Sequence, residues 1–507
     1  MNLSPLTLGI DVGTQSTKVV LYDAEKKMIC AAGSSPHKII SRSDGTSEQD
    51  AIWWEKALIE SLETIPSDLK KRIAAVGVSG QQHGFVPLDI DGNVITNVKL
   101  WNDTSTALEC IEIETAAGGR DNVLSTTGNC ILPGYTASKV LWFKKNHPRL
   151  YERLHTILLP HDYINYLLTG NLAMEFGDAS GTGFLNIKNR TWSKEILQCI
   201  DPARDLSQCL PQLLKAESSV GRVSQTAAEK FGLPKDILVS TGGGDNMMAA
   251  IGMGNVMEGV AGASLGTSGT LFSYSETPVI DNTGTAAAFC SSTGGFLPLV
   301  CIMNGTVSTQ LITTVLELPV DKIDPIAAKA PIGCEGVLTL PFFTGERTPN
   351  LPFAKGAIFG LTALNFTRNN LLRSAMESTM FALRGGKELL NKSGIEFDTV
   401  NLTGGGSKSR LWRQMCADIL QCKVKTPVTN ESAAFGAALQ SLWMLENATG
   451  KESSIEDIVK AHVQFEEQKV KPEIKAVEQY NKIYSNYLEA LKLMTPGYTE
   501  RTDNGII

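Results

Sequence analysis

Residues 9–14 read Gly-Ile-Asp-Val-Gly-Thr, and residues 262–267 read Gly-Ala-Ser-Leu-Gly-Thr. Both stretches fit the pattern Gly-x-x-x-Gly-Thr and are flanked by apolar, β-prone residues. A Gly-Thr turn between two strands exposes backbone N–H groups and a hydroxyl, which suit a phosphate group. A single copy is usually an ordinary hairpin turn. Two copies half a chain apart predict a duplicated domain with both halves facing one nucleotide.

The two copies differ at their third position, which is Asp11 in the first and Ser264 in the second. Only Asp11 supplies a carboxylate that can reach a metal ion or a phosphate-bound water. We therefore expect two halves that are related but chemically unequal.

The order of predicted elements is similar in both halves. In the first, three strands lead to a helix at Trp53–Leu62 and a buried parallel strand at Ile73–Ser79. In the second, two strands flank the second loop, and a helix near Asn370–Leu390 precedes a strand at Val400–Thr403. The sequence thus predicts an α/β fold with two duplicated domains that flank a nucleotide cleft.

The boundary between the two domains is expected after residue 252, which gives an N-terminal domain at 1–252 and a C-terminal domain at 253–507. No Pro- or Ser-rich linker separates them. The short segment Met253–Glu258 lies between two Gly-rich stretches, which suits a hinge better than a flexible tether.

Composition excludes several classes of protein. The formal net charge is −7 and no basic stripe occurs, which argues against nucleic-acid binding. The ten cysteines include no Cys-x-x-Cys pair, a pattern typical of reduced thiols in a cytoplasmic protein. Asp11 interrupts the first apolar run, and no apolar stretch reaches the ~18 residues of a membrane helix, so we expect neither a signal peptide nor a membrane span.

The first loop lies within LGIDVGTQSTKVVLYD, residues 8–23. Its turn can hold the phosphates of a nucleotide while Asp11 holds Mg²⁺ through water. We assign it as a cofactor-binding segment with the residues Gly13, Thr14, Gln15, Ser16 and Lys18. It is neither a Walker loop nor a dinucleotide-binding fingerprint. The alternative is a plain hairpin with an exposed aspartate.

A second candidate segment is STGGGDNMMAA, residues 240–250. Its glycines allow a ligand to approach the backbone, and Asp245 follows them directly. Phosphoryl transfer needs a group that accepts the proton of the attacking hydroxyl, and a positioned aspartate fits that role. With an ordinary pKa of about 4 it would act mainly by orientation. The alternative is that Asp245 is the N-cap of the following helix.

Two further regions are candidates for nucleotide binding. The second Gly-Thr loop contributes Gly266, Thr267 and Ser268. The stretch LTGGGSKSR, residues 402–410, places three glycines between a strand and a helix, where they permit close approach of an adenine ring or its phosphates. These are Gly404, Gly405 and Gly406. The alternative is a tight strand-to-helix turn.

Two polar clusters follow apolar strands in the first half, namely Gln81–Gly84 and Trp101–Asp103. Side chains at the carboxyl ends of strands in an open α/β sheet are placed to bind small ligands. Taken alone, His83 and Trp101 are more often structural residues. Their position beside a duplicated phosphate cleft favours binding of a polyol or sugar.

Together these segments resemble the FGGY family of carbohydrate kinases, whose fold has two RNase H-like domains of the actin/Hsp70/hexokinase type. Two long stretches match the family signatures: GYTASKVLW at residues 134–142, and GAIFGL from residue 356 continuing to Glu377. The resemblance implies a sugar kinase that uses ATP and Mg²⁺.

Within the family, the chain is most similar to the xylulokinase subgroup, through segments that include Gln81–Gly84, Gly242–Asn246 and Gly345–Pro349. The resemblance implies that Asp245 is the general base, that Asp11 is important for activity, and that Gln82 and His83 contact the sugar. We expect Asp245 and Asn246 to contact the sugar as well. Gln82 departs from the subgroup, which usually has methionine there.

The implied reaction is phosphorylation of a ketopentose, first of all D-xylulose, by ATP. Because Gln82 departs from the subgroup, ribulose, L-xylulose or another polyol is kept as an alternative substrate. Glycerol is disfavoured, since Thr104 and Ser105 follow Asp103 where glycerol kinases carry arginine. A nucleotide switch of the actin or Hsp70 kind shares the loops but does not explain Asp245 or the sugar cluster. Dimers are common in the family.

Overall fold

The computed structural model describes residues 5–499, and every structural statement below concerns that range. Its strands are, in chain order, β1 (Leu6–Val12), β2 (Ser16–Asp23), β3 (Met28–Pro36), β4 (Ile40–Ser41), β5 (Ser47–Gln49), β6 (Ile73–Gly80), β7 (Val86–Leu88), β8 (Val98–Lys99), β9 (Thr156–Leu158), β10 (Ala173–Glu175), β11 (Leu185–Asn186), β12 (Thr191–Trp192), β13 (Gln212–Leu214), β14 (Ser219–Arg222), β15 (Leu238–Ser240), β16 (Gly243–Gly244), β17 (Gly259–Leu265), β18 (Gly269–Ser273), β19 (Leu299–Ile302), β20 (Leu338–Leu340), β21 (Ala357–Phe359), β22 (Phe397–Thr403) and β23 (Lys423–Lys425).

Two large sheets repeat one topology. The first has the order β14-β15-β6-β1-β2-β3, with β16 also paired to β6. The second has the order β19-β18-β17-β22-β23. In each, a three-stranded antiparallel meander is extended by a strand parallel to its first member, β6 beside β1 and β22 beside β17. The predicted duplication is therefore confirmed.

The register of the two sheets makes their loops comparable. Asp11 lies opposite Lys18 on β2 and Ser79 on β6, whereas Ser264 lies opposite Thr270 and Thr403. The two Gly-Thr loops connect the first two strands of each meander, as predicted.

The helices are α1 (Ala51–Glu63), α2 (Ser67–Lys70), α3 (Ala107–Ala116), α4 (Arg120–Thr127), α5 (Thr136–Asn146), α6 (Pro148–Tyr151), α7 (Pro160–Thr169), α8 (Phe176–Ala179), α9 (Lys194–Ile200), α10 (Gln225–Phe231), α11 (Asp245–Met253), α12 (Val307–Val315), α13 (Ile323–Ala327), α14 (Arg368–Lys392), α15 (Arg410–Leu420), α16 (Ser432–Ala448), α17 (Ile455–His462) and α18 (Ile474–Thr499). The longest, α14 and α18, pack in the core of the second half. No helix within residues 5–499 is long and apolar enough to cross a membrane.

Helix α16 belongs to the second half of the sequence but packs on the first sheet, against β1, β2 and β6. The close approach needs glycine: a Cβ on Gly9 would lie 1.8 Å from the carbonyl oxygen of Ala434. Helix α1 packs on β2 and β3 of the same sheet. Because α11 runs from Asp245 to Met253, it spans the expected domain boundary, which stays a prediction.

All ten cysteines are free thiols. The last helix, α18, docks on the body through Tyr480, Tyr484 and Tyr487, which are buried. On the same helix, Leu488 is 42% exposed.

Candidate active site

One cleft gathers the residues that the sequence assigns to the sugar. Gln82 and His83 follow β6, Trp101 follows β8, and Asp245 and Asn246 open helix α11. All five line the same cavity. Gln82 and Asn246, which are joined by a hydrogen bond, are 164 positions apart in the chain. The fold, and not local sequence, therefore brings these residues together.

The opposite wall of this cavity comes from the second half. Ser264 of β17, together with Gly266 and Ser268 of the second loop, faces the sugar residues. A segment after β18 closes one side with Thr285 and Phe289. The cleft therefore places a predicted phosphate loop beside a predicted sugar site, which is the arrangement that phosphoryl transfer requires.

Asp245 is the first residue of α11, and Gly244 is the N-cap. The N-cap alternative for Asp245 is therefore wrong, because its backbone is already helical. Its Oδ1 instead accepts hydrogen bonds from the backbone N–H of Asn246 at 2.8 Å and from Asn246 Nδ2 at 3.0 Å. These bonds fix the orientation of a carboxylate that lines the cavity.

The environment of Asp245 makes it a stronger base than the sequence suggests. The surrounding protein removes most of its hydration, and the negative charges of Asp11 and Asp178 repel a further charge, so its pKa rises to about 8. The expectation of an ordinary pKa near 4 is corrected by this environment. A carboxylate with such a pKa can accept a proton from an alcohol as the new O–P bond forms.

A chain of polar side chains at the cavity wall supports Asp245. Asn246 Nδ2 donates to Gln82 Oε1 at 2.9 Å. Burial raises the pKa of the Asp178 carboxyl to about 6. The Gln82 amide lies beside this carboxyl and acts in the opposite direction, lowering its pKa. The residue that departs from the subgroup pattern is therefore part of the scaffold of the site.

Asp178 is in turn held by His161, from Nδ1 to Oδ2 at 2.7 Å. The other ring nitrogen of His161 lies 2.9 Å from Asp162 Oδ1. All three side chains are buried. Burial alone would lower the pKa of His161, but the two carboxylates raise it well above its ordinary value, so the ring is a cation between two acids. Sequence reasoning missed this group because its members are dispersed over two helices and carry no recognisable spacing.

Comparison with known proteins agrees with this geometry. The N-terminal domain profile of the FGGY family of carbohydrate kinases matches residues 6–252, and the C-terminal domain profile matches residues 261–445. The chain belongs to the FGGY family of carbohydrate kinases. It is accordingly a sugar kinase.

The chain is similar along nearly its whole length to proteins of that kind. It is 41% identical to a xylulose kinase of Haemophilus influenzae over 492 residues, which cover 96% of this chain and 99% of that protein. A ligand-bound xylulose kinase of Lactobacillus acidophilus superposes with a TM-score of 0.88 at 25% identity, covering 97% of this chain and 99% of that one. A xylulose kinase of Bifidobacterium adolescentis superposes with a TM-score of 0.80 at 29% identity, covering 95% of this chain and 99% of that one.

In this FGGY kinase, His83 is held rigidly at the cavity wall. Its ring lies 4.6 Å from that of Tyr135, and its carbonyl accepts a hydrogen bond from the buried Lys139 Nζ at 2.7 Å. Burial, together with the charges of Lys139 and Arg347, keeps its pKa well below the ordinary value. His83 is therefore a neutral imidazole at physiological pH, which can donate one hydrogen bond and accept one.

Trp101 connects the sugar cluster to the first loop. Its indole N–H donates to Thr14 Oγ1 at 2.9 Å, while the ring lines the cavity. The first loop itself is closed by a hydrogen bond from the Gly13 N–H to the Ser16 carbonyl at 3.0 Å. Gln15, at the tip of this turn, is exposed.

Asp11 lies beneath this loop, where Ser79 Oγ donates to its Oδ1 at 2.7 Å. Burial raises the pKa of Asp11, against the lowering effects of Ser79 and Lys18. Lys18, which the sequence assigns to the nucleotide, forms an ion pair with Glu431 at 2.7 Å. Its ammonium group thus ties the first loop to the segment before α16.

The carboxylates near the first loop fit a metal ion that takes most of its ligands from the phosphates of a nucleotide. Within residues 5–499, no group of three or more His, Cys, Asp or Glu side chains is arranged to hold a metal. Mg²⁺ in kinases commonly takes one or two carboxylates, with phosphate oxygens and waters completing its shell. Asp11, buried beneath the first loop, would supply such a carboxylate.

The predicted adenosine glycines lie at a second cavity. Gly405 and Gly406 line it together with the side chains of Ile323, Gln310 and Trp412. Gly404 has a different role, since its φ is +88° and a Cβ there would lie 2.5 Å from the Leu265 carbonyl oxygen. Two of the three glycines therefore face the cavity, while the first packs on the end of β17.

The second loop joins the two cavities. Gly266 lines the sugar cleft, and its carbonyl accepts a hydrogen bond from Thr306 N–H, which borders the glycine cavity. The Thr267 carbonyl accepts from Gly305 N–H at 2.8 Å. A nucleotide with its base near Gly405 and its phosphates along this loop would reach the sugar cleft.

Arg347 also lines the sugar cleft. Sequence reasoning quoted its segment, Gly345–Pro349, only as a family likeness and gave the arginine no role. The signal was present, because Arg347 is a charged residue in a segment with the Gly and Pro of a loop, and loops carry binding residues disproportionately often.

Proposed function

We propose that this sugar kinase transfers the γ-phosphoryl group of ATP, in the presence of Mg²⁺, to the terminal hydroxyl of a ketopentose, and that D-xylulose is its best substrate. The observation that carries the proposal is the placement of Asp245, with its raised pKa, in one cavity with Gln82, His83 and Asn246 and opposite the second phosphate loop. The names of its relatives support the choice of sugar.

In the proposed reaction, the sugar binds mainly to the first half, against Gln82, His83, Trp101 and Asn246. The nucleotide binds mainly to the second half, with its base near Gly405 and its phosphates along the two Gly-Thr loops. The sugar hydroxyl attacks the γ-phosphorus as Asp245 takes its proton, the bond from phosphorus to the bridging oxygen breaks, and ADP leaves. Bound Mg²⁺ would neutralise charge on the phosphates.

Closure of the two halves about the segment Met253–Glu258 is part of this proposal. Closure expels water and aligns the hydroxyl with the phosphorus. An open cleft would admit water as the nucleophile, so slow hydrolysis of ATP without sugar is expected.

The test is ADP formation with Mg²⁺-ATP, comparing D-xylulose, L-xylulose, D-ribulose, L-ribulose and glycerol by kcat/KM. A clear preference for D-xylulose is expected. Preference for another ketose would retain the mechanism and reject the substrate. Failure of every sugar to stimulate ADP formation would reject the proposed function.

A further inference from the structure

Arg347 is the charged residue of the sugar cleft whose role the proposed reaction leaves open. It follows β20 in the second half, but its guanidinium faces residues of the first half. Within residues 5–499 it forms no ion pair with a carboxylate. Arginine carries five N–H donors and stays charged at all physiological pH values, so such a side chain in a cavity needs acceptors from a ligand or water.

The backbone of Arg347 is fixed by the preceding residue. Glu346 Oε1 accepts hydrogen bonds from the N–H of Arg347 at 2.8 Å and from that of Met303 at 2.7 Å. Its Oε2 accepts from Asn304 Nδ2 at 3.1 Å. Because Glu346 is buried, these bonds anchor the turn to the end of β19, and the arginine is presented from a rigid base.

The side chain reaches across the cleft toward the part of the cavity near Trp101. Its Nη2 lies 3.8 Å from the position that a Cβ on Gly134 would take, and that position is 2.3 Å from the Trp101 carbonyl oxygen. Its charge also contributes to the low pKa of His83. In contrast, the charges that act most on Asp245 are those of Asp11 and Asp178.

We propose that Arg347 hydrogen-bonds an oxygen of the ketose, beside His83 and Trp101, and thereby makes the sugar a bridge between the two halves. This inference rests on the proposed function. The other proposed sugar contacts come from the first half, where Gln82, His83 and Trp101 follow strands of that half. Arg347 adds a contact from the second half, so its bond to the sugar stabilises the arrangement in which the halves are close.

In this proposal Arg347 couples binding of the sugar to closure of the two halves. A ligand shifts a conformational equilibrium only by its differential affinity for the two arrangements. A contact made only when the halves are close supplies such a difference. Arg347 is thus a substrate-binding residue through which the sugar, and not ATP alone, favours closure.

The experiment compares the Arg347→Met and Arg347→Lys variants with wild type and with Arg149→Met, a control at an exposed arginine on α6. We expect the KM for the ketose to rise roughly 10- to 100-fold in Arg347→Met, as for loss of a charged hydrogen bond. Arg347→Lys should recover part of the loss. The KM for ATP and the sugar-independent formation of ADP should change less than about twofold, because these do not use the contact.

Small-angle scattering provides a second readout. Addition of ketose with ADP should reduce the radius of gyration of wild type and of Arg149→Met, but not that of Arg347→Met at an equal degree of sugar saturation. An unchanged ketose KM in Arg347→Met, or a rise in the KM for ATP instead, would overturn the inference while leaving the proposed function intact. Absence of sugar stimulation in wild type would reject both.

Discussion

Asn246 Nδ2 donates a hydrogen bond to Gln82 Oε1 at 2.9 Å, and so connects the first turn of α11 to the carboxyl end of β6. The same Asn246 amide holds the carboxylate of Asp245. The identity of residue 82 is therefore coupled to the position of the proposed base, although the two residues are far apart in the chain.

Replacing Gln82 with methionine, the residue usual in the subgroup, should alter selectivity more than turnover. Methionine has a similar volume, but its thioether sulfur accepts the hydrogen bond from Asn246 only weakly. The Asn246 amide would still be held by Asp245. We expect the kcat/KM ratio of D-xylulose to D-ribulose to change by roughly threefold or more, with kcat within about threefold of wild type. The exposed Gln479→Met on α18 serves as the control. An unaltered ratio would show that Gln82 is only structural.

Asp245→Asn should reduce turnover by roughly 10²–10⁴-fold, because the amide cannot take the proton of the attacking hydroxyl. Affinity for ATP, measured by calorimetric titration, should change little, since the nucleotide is proposed to lie mainly on the second half. The exposed Asp68→Asn is the matched control and should retain full activity. A near-normal kcat in Asp245→Asn would reject the assignment of the base.

The raised pKa of Asp245 predicts an acid limb in the pH profile. A general base acts only when ionised, so kcat/KM for the ketose should fall about tenfold per pH unit below pH 8 and level off above it. Asp178→Asn removes one of the charges that raise this pKa and should move the limb to lower pH. The profile of wild type and variant, measured between pH 5 and 10, checks both statements. A limb that stays at the same pH in the variant would contradict the electrostatic explanation.

Asp11→Asn should weaken the use of Mg²⁺-ATP, because one carboxylate of the proposed metal environment is lost. We expect a roughly 10- to 100-fold lower kcat/KM for ATP at 1 mM Mg²⁺, as is typical of disturbed metal ligation. Ser79→Ala, which removes the hydrogen bond to Asp11 but keeps its charge, should have a smaller effect. Full activity of Asp11→Asn in a Mg²⁺ titration would exclude the metal role.

The glycine loop after β22 allows a contrast between two neighbouring positions. At Gly405 an added Cβ meets no atom within 4 Å, so Gly405→Val should fold normally but raise the Kd for ATP by filling space in the cavity. At Gly404 the positive φ and the contact with Leu265 make any Cβ unfavourable, so Gly404→Ala should lower Tm by several degrees. ATP titration and thermal unfolding separate the two effects. If Gly405→Val and Gly404→Ala changed the Kd for ATP and the Tm to the same extent, the distinction between the two glycines would be contradicted.

The sequence predicts the duplicated meanders well because their signals are local. Strands β1 and β2 flank the first loop as predicted, and the apolar run from Val19 to Tyr22 is buried in β2. The family signatures then identify the kinase. Gly80 ends β6 and Gly404 directly follows β22, and their equivalence becomes visible only when the register of the two sheets is known.

The remaining features depend on long-range packing. The pKa of Asp245 is set by Asp11 and Asp178, which no local pattern relates to it. The placement of Arg347 opposite His83 depends on how the two halves meet. The same holds for the ion pair between Lys18 and Glu431, which are 413 residues apart.

The position of helix α16 in the sequence affects how the protein folds during its synthesis. The first sheet leaves the ribosome before the helix that covers it, since residues 432–448 are synthesised long after residue 80. At ordinary rates of about 5–20 residues per second, the stretch from residue 80 to residue 448 takes roughly 20–70 s to translate. During that time an apolar face of β1, β2 and β6 lacks its partner, so the nascent chain should depend on chaperones, and a fragment that ends near residue 252 should aggregate.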